Sequence, residues 1–255
     1  MSGNLEIIEV TPENVKSETL FCIKNTNDLG FRKKSEWFAK RFAEGLRLKI
    51  LKSEAVRPIA FIEYLPADKA WRPVDATGYM FIHCMFVYSN KDKHRGIGSM
   101  LLDECKKDAL KSGMDGVCVM TSDGSWITNK SLFLKNNFKV TDKRGRFELL
   151  SLKLNPDAKD PVLKDWTIHQ VEYQGWNLVY SDQCPWNEKS VNALMMVAKE
   201  AGITLKLIKL NTPFEAQDAP SGFGVFSLLK DGRLLEDHYL SETRFRNILK
   251  QELGK

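Results

Sequence analysis

The sequence predicts an α/β (α+β) protein: a mixed sheet with flanking helices, followed by a smaller α/β domain. Three observations lead to this class. Strand-like and helix-like stretches alternate along the whole chain. A near-continuous apolar run, Gly78 to Tyr88, is interrupted only at His83 and Cys84, which suits a central strand covered on both faces. That run passes through a basic loop and a glycine turn into an amphipathic helix, in the stretch FVYSNKDKHRGIGSMLL from Phe86 to Leu102.

Taken in order, Leu5 to Val10 alternates as a strand and ends at Thr11-Pro12-Glu13-Asn14, a helix start with proline in its first turn. A helix is expected over Val15 to Lys24, then a polar break from Asn25 to Gly30. Ser35 to Gly45 carries Trp37, Phe38 and Phe42 near helical spacing. Leu46 to Leu51 and Pro58 to Leu65 read as paired strands, with Ile59, Phe61 and Tyr64 favouring that state. Pro66 to Thr77 is a loop. Gly98 to Lys111 is a helix whose expected apolar face is Met100, Leu101, Cys105, Ala109 and Leu110, and Ser112-Gly113 stops it. A short buried strand over Gly116 to Met120, a helix over Asn129 to Asn136 and strands from Phe138 and over Phe147 to Leu154 complete the first part.

The glycine turn carries the chemistry. In Lys93-His94-Arg95-Gly96-Ile97-Gly98, two glycines one residue apart allow a tight turn and close approach of a ligand. The next helix directs unpaired N–H groups and the positive end of its dipole at the turn. Lys91, Lys93, His94 and Arg95 add positive charge, so the turn suits a pyrophosphate. A strand-to-helix turn with no ligand is the plainer alternative. No Gly-Lys-Ser/Thr follows, which excludes a Walker loop, and Leu101 stands where a dinucleotide fingerprint needs a third glycine.

Composition limits the partners. The 255 residues carry a net charge of +5, with 28% charged residues of mixed sign. There is no long basic run and no basic-aromatic alternation, so nucleic acid is not an expected partner. Five scattered cysteines suggest neither a disulfide framework nor a metal site. No apolar run is long enough to span a bilayer, and a reducing cytoplasm is the expected location.

The turn resembles motif A of the GNAT N-acetyltransferase family, R/Q-x-x-G-x-G/A, with Lys93 where Arg or Gln is more usual. The resemblance covers roughly residues 4 to 154. It implies a GNAT mixed sheet and acetyl-CoA as cosubstrate. The pyrophosphate would be held around Lys93, His94, Arg95, Gly96, Ile97, Gly98 and Ser99. The pantetheine arm would run along the strand end at Met85, Phe86 and Val87. Asn129 to Phe138 resembles a second family motif, N-x-x-(A/S)-x-x-x-Tyr-x-x-x-G-F, so Asn129 and Phe133 are expected at the cofactor. The chain departs from that motif at Asn137 and, more seriously, at Phe133, which replaces the tyrosine that protonates the leaving thiolate in many relatives. The family reaction is direct attack by an amine, and in that family the region of Trp37 and Phe38 lines the acceptor pocket, so these two residues are either core residues or substrate contacts.

Acetylation requires a neutral amine, so a base or a water chain must take a proton. His83 lies mid-strand near the family's usual glutamate, and an ordinary imidazole titrates near pH 6.5. Glu63 lies on the preceding strand between apolar neighbours, either turned to solvent by alternation or buried. A satisfied core histidine is the alternative for His83. Cys84 is expected in the core, facing away from His83 by strand parity.

Asn155 to Trp166 lacks periodicity and reads as a linker. The expected domains are therefore 1–154, a linker 155–166, and 167–255. Beyond the linker come strand-like Ile168 to Tyr173 and Trp176 to Tyr180, a helix from Glu188 to Ala201, a strand over Ile203 to Leu210, strands over Phe223 to Leu229 and Leu234 to Leu240, and a last helix. This order resembles that of thioredoxin. Cys184-Pro185-Trp186-Asn187 stands where such proteins carry Cys-x-x-Cys, and Ala219-Pro220 where they carry a cis-proline. Asn187 excludes a two-cysteine cycle within the motif. Cys184 is either a thiol activated by the helix N-terminus or simply a helix-start residue. With Ala-Pro-Ser-Gly-Phe-Gly further on, the whole chain resembles the two-part bacterial YoaP-like acetyltransferases.

Two functions follow as expectations. The first is an acetyl-CoA-dependent N-acetyltransferase, with His83 or Glu63 as base and Cys184, Trp186 and Pro220 helping to hold the acceptor. The second is a CoA-binding module with little turnover, fused to a monothiol redox or thiol-binding adaptor. Neither a metal nor a membrane enters either reading, and the acceptor and oligomeric state stay open.

Overall fold

The computed structural model describes residues 5–20, 22–53, 58–88, 96–124 and 130–254. The chain divides into two compact units. One gathers Met1–Thr26, Phe38–Ala70 and Val74–Lys164; the other gathers Asn27–Trp37, Trp71–Pro73 and Asp165–Lys255.

In the first unit, β1 (Leu5–Val10) leads to a single helical turn, α1 (Val15–Glu18). The helix expected through Lys24 stops there because Thr19 takes a left-handed φ of 71°, which turns the chain and lets Leu20 and Ile23 be buried. Helix α2 (Leu29–Ala43) starts six residues earlier than its apolar spacing suggests. Strands β2 (Arg47–Ser53) and β3 (Pro58–Pro66) pair antiparallel, and the loop after them holds a 3-10 turn and a two-residue strand, β4 (Val74–Asp75). Then come β5 (Tyr79–Val87), α3 (Ile97–Lys111), β6 (Gly116–Ser122), α4 (Ser131–Lys135), β7 (Lys139–Arg144), β8 (Phe147–Lys153) and β9 (Val162–Leu163). Strand β9 pairs with β4.

The seven-stranded sheet runs β1-β2-β3-β5-β6-β8-β7. Only the β5–β6 pair is parallel, joined by the α3 crossover; the other pairs are antiparallel. Helix α3 buries Leu101, Leu102, Cys105 and Ala109 against Ile62, Tyr64, Ile82 and Val119. Met100 and Leu110, expected on this face, are exposed; Leu102 takes the place they were assigned, because the stripe follows the 3.6-residue turn more closely than it follows hydrophobicity.

In the second unit, β10 (Trp176–Tyr180) is followed by α5 (Trp186–Glu200), β11 (Leu205–Lys209), α6 (Pro213–Gln217), β12 (Phe226–Lys230), β13 (Arg233–Glu236) and α7 (Glu242–Leu253). The sheet order is β11-β10-β12-β13, parallel at β10–β11 and antiparallel elsewhere. Ile168 to Tyr173 forms no strand; Gln170–Glu172 is a 3-10 turn, and Ile168 and Val171 are exposed rather than packed. Helix α6 was not expected, although Thr212 and Glu215 form a full capping box with Pro213 in the first turn. Among the described residues every peptide bond is trans, the one before Pro220 included, which corrects the cis-proline expectation. None of the described helices is long and apolar enough to cross a membrane.

Candidate active site

The strand β5 organises the candidate site, and a bulge in it does the positioning. Against β3, Tyr64 lies opposite Ile82 and Glu63 opposite Cys84, so His83 is the extra residue between them. The bulge breaks the alternation on which parity arguments rest. Met85 therefore joins Met80 and Ile82 on the α3 side. His83 reaches Glu63, with Nδ1 3.5 Å from Oε1 and both side chains buried. The Phe81 ring stands edge-on to the imidazole at 5.5 Å. The two base candidates thus belong to one buried pair. Cys84, expected in the core, is exposed: register places it across from Glu63.

The β5–β6 ladder covers Tyr79–Ile82 and Gly116–Val119. Beyond it, β5 continues to Val87 and β6 to Ser122. Met85 and Val87 lie on this continuation, with Phe86 half exposed between them. Gly96 then caps α3 with a left-handed φ of 77°, a conformation that favours glycine. Gly96 is exposed, and a Cβ on it would meet no other described residue within 4 Å. Gly98 has a different role: a Cβ there would come 2.8 Å from the Leu132 side chain, so its absence lets α4 pack on α3. Ile97 is buried in the core and Ser99 is partly exposed. Lys93, His94, Arg95 and Asn129 lie outside the described residues.

Phe133 is fully buried in the core shared with α3 and stands edge-on to Phe138 at 5.4 Å. Asn137 takes a left-handed φ of 66°, as its place at the end of α4 requires. The opposite end of α3 is tied down by a polar cluster. The Lys49 ammonium lies 2.8 Å from Asp108 and 3.2 Å from Glu104, and the Tyr64 hydroxyl donates to Asp108 at 2.6 Å. Burial alone would raise the Asp108 carboxyl, but the bonds from Lys49 and Tyr64 outweigh it and hold the carboxyl below its usual range. Burial likewise opposes the Lys49 charge, and the two carboxylates raise its pKa nonetheless. Burial pushes the Tyr64 hydroxyl and the Cys105 thiol upward.

In the second unit, Cys184 is half-buried and its carbonyl accepts from the Asn187 amide at 3.1 Å as α5 begins. The Asn187 side-chain amide donates to the Ser181 and Val225 carbonyls, both at 2.9 Å. Lys33 pairs with Glu188 at 2.5 Å, and Gly30 sits so close to the Pro185 carbonyl that a Cβ could not be accommodated. Trp37 stands edge-on to Trp71 at 5.2 Å, and Arg72 lies over the Phe223 ring at 4.9 Å. Phe38 is fully buried and belongs to the first unit, near Phe42. Trp186 is exposed, and the Pro220 carbonyl accepts from Gln170. The bulge at His83 and the packing of Gly30 and Lys33 on the Cys184 turn had no local signal in the sequence. Both depend on partners brought from elsewhere in the chain.

A family model described as YoaP-like matches residues 204–247. The uncharacterized N-acetyltransferase YoaP of Bacillus subtilis (strain 168) is 30% identical over 248 residues, covering 95% of this chain and 97% of that protein. The chain belongs to the YoaP-like N-acetyltransferase family. It is an acyltransferase enzyme by that membership. Among solved structures, a GNAT family acetyltransferase of Staphylococcus aureus Mu50 is 17% identical, with a TM-score of 0.44, covering 59% of this YoaP-like chain and 100% of its own. A GNAT family acetyltransferase of Brucella melitensis, in complex with acetyl-CoA, is 18% identical, with a TM-score of 0.38, covering 62% of this chain and 95% of its own.

Proposed function

We propose that the protein moves an acetyl group from acetyl-CoA to an amine by direct attack. The observation that carries this reading is the buried Glu63–His83 pair at the β5 bulge, on the strand that leads towards the Gly96 turn. The amine loses a proton to the pair, and its nitrogen attacks the thioester carbonyl carbon. The C–N bond forms, the C–S bond breaks, and CoA leaves as a thiolate. Phe133 has no proton to give and is sealed in the core, so water protonates the thiolate. The pyrophosphate is held at Gly96 to Ser99 and the pantetheine along Met85 to Val87, where β5 has run beyond its ladder with β6. Residues 1–154 form the acetyltransferase domain in this reading, and it works in the cytoplasm, where the five free cysteines stay reduced.

The C-terminal part, 167–255 after the linker 155–166, is read as thioredoxin-like. Its strand order β11-β10-β12-β13, with one parallel pair, supports this, and Cys184 at the start of α5 supports a role in holding the acceptor. Phe133 favours a second reading, a CoA module of little turnover carrying a monothiol adaptor.

Calorimetric titration of acetyl-CoA, followed by thiol release with a panel of amines, tests the proposal. Wild type should bind and Gly96→Trp should not. Glu63→Gln should lower kcat by about 10²-fold or more, the range of general-base contributions. No binding of acetyl-CoA by wild type would overturn the reading. Binding without turnover, together with a Cys184→Ser variant that loses function, would select the second.

A further inference from the structure

We propose that the acceptor is a small primary amine on an aromatic body, lying along Phe86 and Tyr88 with its nitrogen at the Glu63–His83 pair. This rests on the acetyltransferase reading above. Register places Phe61 opposite Phe86 and Glu63 opposite Cys84, and Leu48 and Ile50 of β2 lie across from Glu63 and Phe61. These residues share one face of the sheet, away from α3. Over β2 and β3 that face is closed, since Leu48, Ile50 and Phe61 are buried. Over β5 it opens: Cys84 is exposed, Phe86 is 50% exposed and Tyr88 is 63% exposed. Tyr88 stays in line with the strand through its amide, which donates to the Ile59 carbonyl.

One strand therefore offers a row that begins beside a buried carboxylate and imidazole and continues as two exposed aromatic rings. Positions two apart on a strand are separated by about 7 Å, so a ring resting on Phe86 reaches Glu63 through a short aliphatic spacer. The charges at the two ends differ. Glu63 and His83 stand at one end; at the other, the Lys24 ammonium lies 5.6 Å from the Tyr88 ring centroid. A second cation on the ligand would meet Lys24, which disfavours polyamines and favours one amine joined to an uncharged or anionic ring. In the reaction the ammonium form gives up one proton to the pair and a second as the amide forms. The thiolate of CoA takes one, so one proton is released per turnover.

The test uses the full-length protein with acetyl-CoA and four amines: phenethylamine, tyramine, propylamine and spermidine. The expected result is a kcat/KM for the two aromatic amines about tenfold or more above the other two, the advantage one or two aromatic contacts supply. Phe86→Ala should bring that preference to within about twofold. Acetyl-CoA titration of the same variant shows whether the cosubstrate still binds. A preference for spermidine or propylamine, a preference that survives Phe86→Ala, or acetyl-CoA binding with no transfer to any of the four overturns this proposal. Failure of wild type to bind acetyl-CoA overturns the underlying reading, and this proposal with it.

Discussion

Two strand-to-helix turns in this chain differ in where their helices are tied down. The ties of α3 lie in its later turns, where Glu104 and Asp108 hold Lys49 and Asp108 accepts from Tyr64. At its start, Ile97 and Gly98 pack inward, while the N-cap Gly96 is exposed and a Cβ on it would meet no other described residue within 4 Å. The buried side-chain ties of α5 lie in its first two turns, with an exposed Glu200–Arg246 pair at its far end. Asn187 bridges two carbonyls, Glu188 pairs with Lys33, and the Ser190 hydroxyl both donates to and accepts from the Leu240 backbone. Both helices have the same unpaired N–H groups and the same dipole direction at their starts. The near-end ties hold the turn that carries Cys184 as a mount; among the described residues the start of α3 has no such side-chain tie.

The largest expected effect tests the closed turn. Gly30→Ala puts a methyl group against the Pro185 carbonyl, which is backbone and cannot rotate away. Urea unfolding should show a loss of about 3 kcal/mol, the upper range for overpacking, with acetyl-CoA affinity unchanged. An unaltered midpoint would mean that the turn yields and is not a rigid mount.

Asn187→Ala comes next. It leaves the Ser181 and Val225 carbonyls without the side-chain amide that joins them inside the core, at a cost of about 2 kcal/mol. The same unfolding experiment reads it. Acetyl-CoA affinity should again stay as it was, so a fall in affinity would break the separation between the turns.

The contrast between the turns was legible only in part. Gly96 announced its own conformation, because a left-handed φ at a helix start is a local demand that glycine meets. The near-continuous apolar run of β5 and the Leu101, Cys105 and Ala109 part of the α3 stripe were equally local. What was not legible came from distant partners. His83 and Glu63 were two candidates on two strands, and the bulge that joins them appears in the register rather than in the sequence. The same bulge exposes Cys84, which parity had placed inside. Asn187 read as a missing cysteine, but its amide is a structural bridge. Asn27–Trp37 packs with a unit whose main stretch begins at Asp165, a pairing that no spacing within either segment predicts.

A smaller effect sharpens the account of α3. Asp108→Asn keeps an acceptor for Tyr64 but removes the charge facing Lys49, and should cost about 1.5 kcal/mol at pH 7. The folded-state pKa of Asp108 lies below its unfolded value of about 3.9. Its contribution is therefore present above pH ~4 and is lost as pH falls through the folded value. Lys49 is raised above about 10.4, so its share holds below that pH and is lost only in stronger base. Unfolding of wild type and variant at a series of pH values should show the two curves converging on the acid side. Parallel curves down to pH ~2 would remove Asp108 as the anchor of α3.

The smallest change in stability carries the sharpest contrast. Gly96→Ala forces a side chain into the left-handed region, at about 1 kcal/mol, but its methyl group meets no other described residue within 4 Å. If the turn were only a connection, acetyl-CoA affinity would stay as in wild type. If it receives the pyrophosphate, the methyl group occupies the space the ligand needs, and affinity should fall about tenfold, more than the strain alone accounts for. Gly30→Ala is the matched control, since it costs more stability without touching the open turn. The two glycines together separate a close approach that serves the fold from a left-handed turn proposed to serve a ligand: the first is measured in unfolding energy, the second in binding.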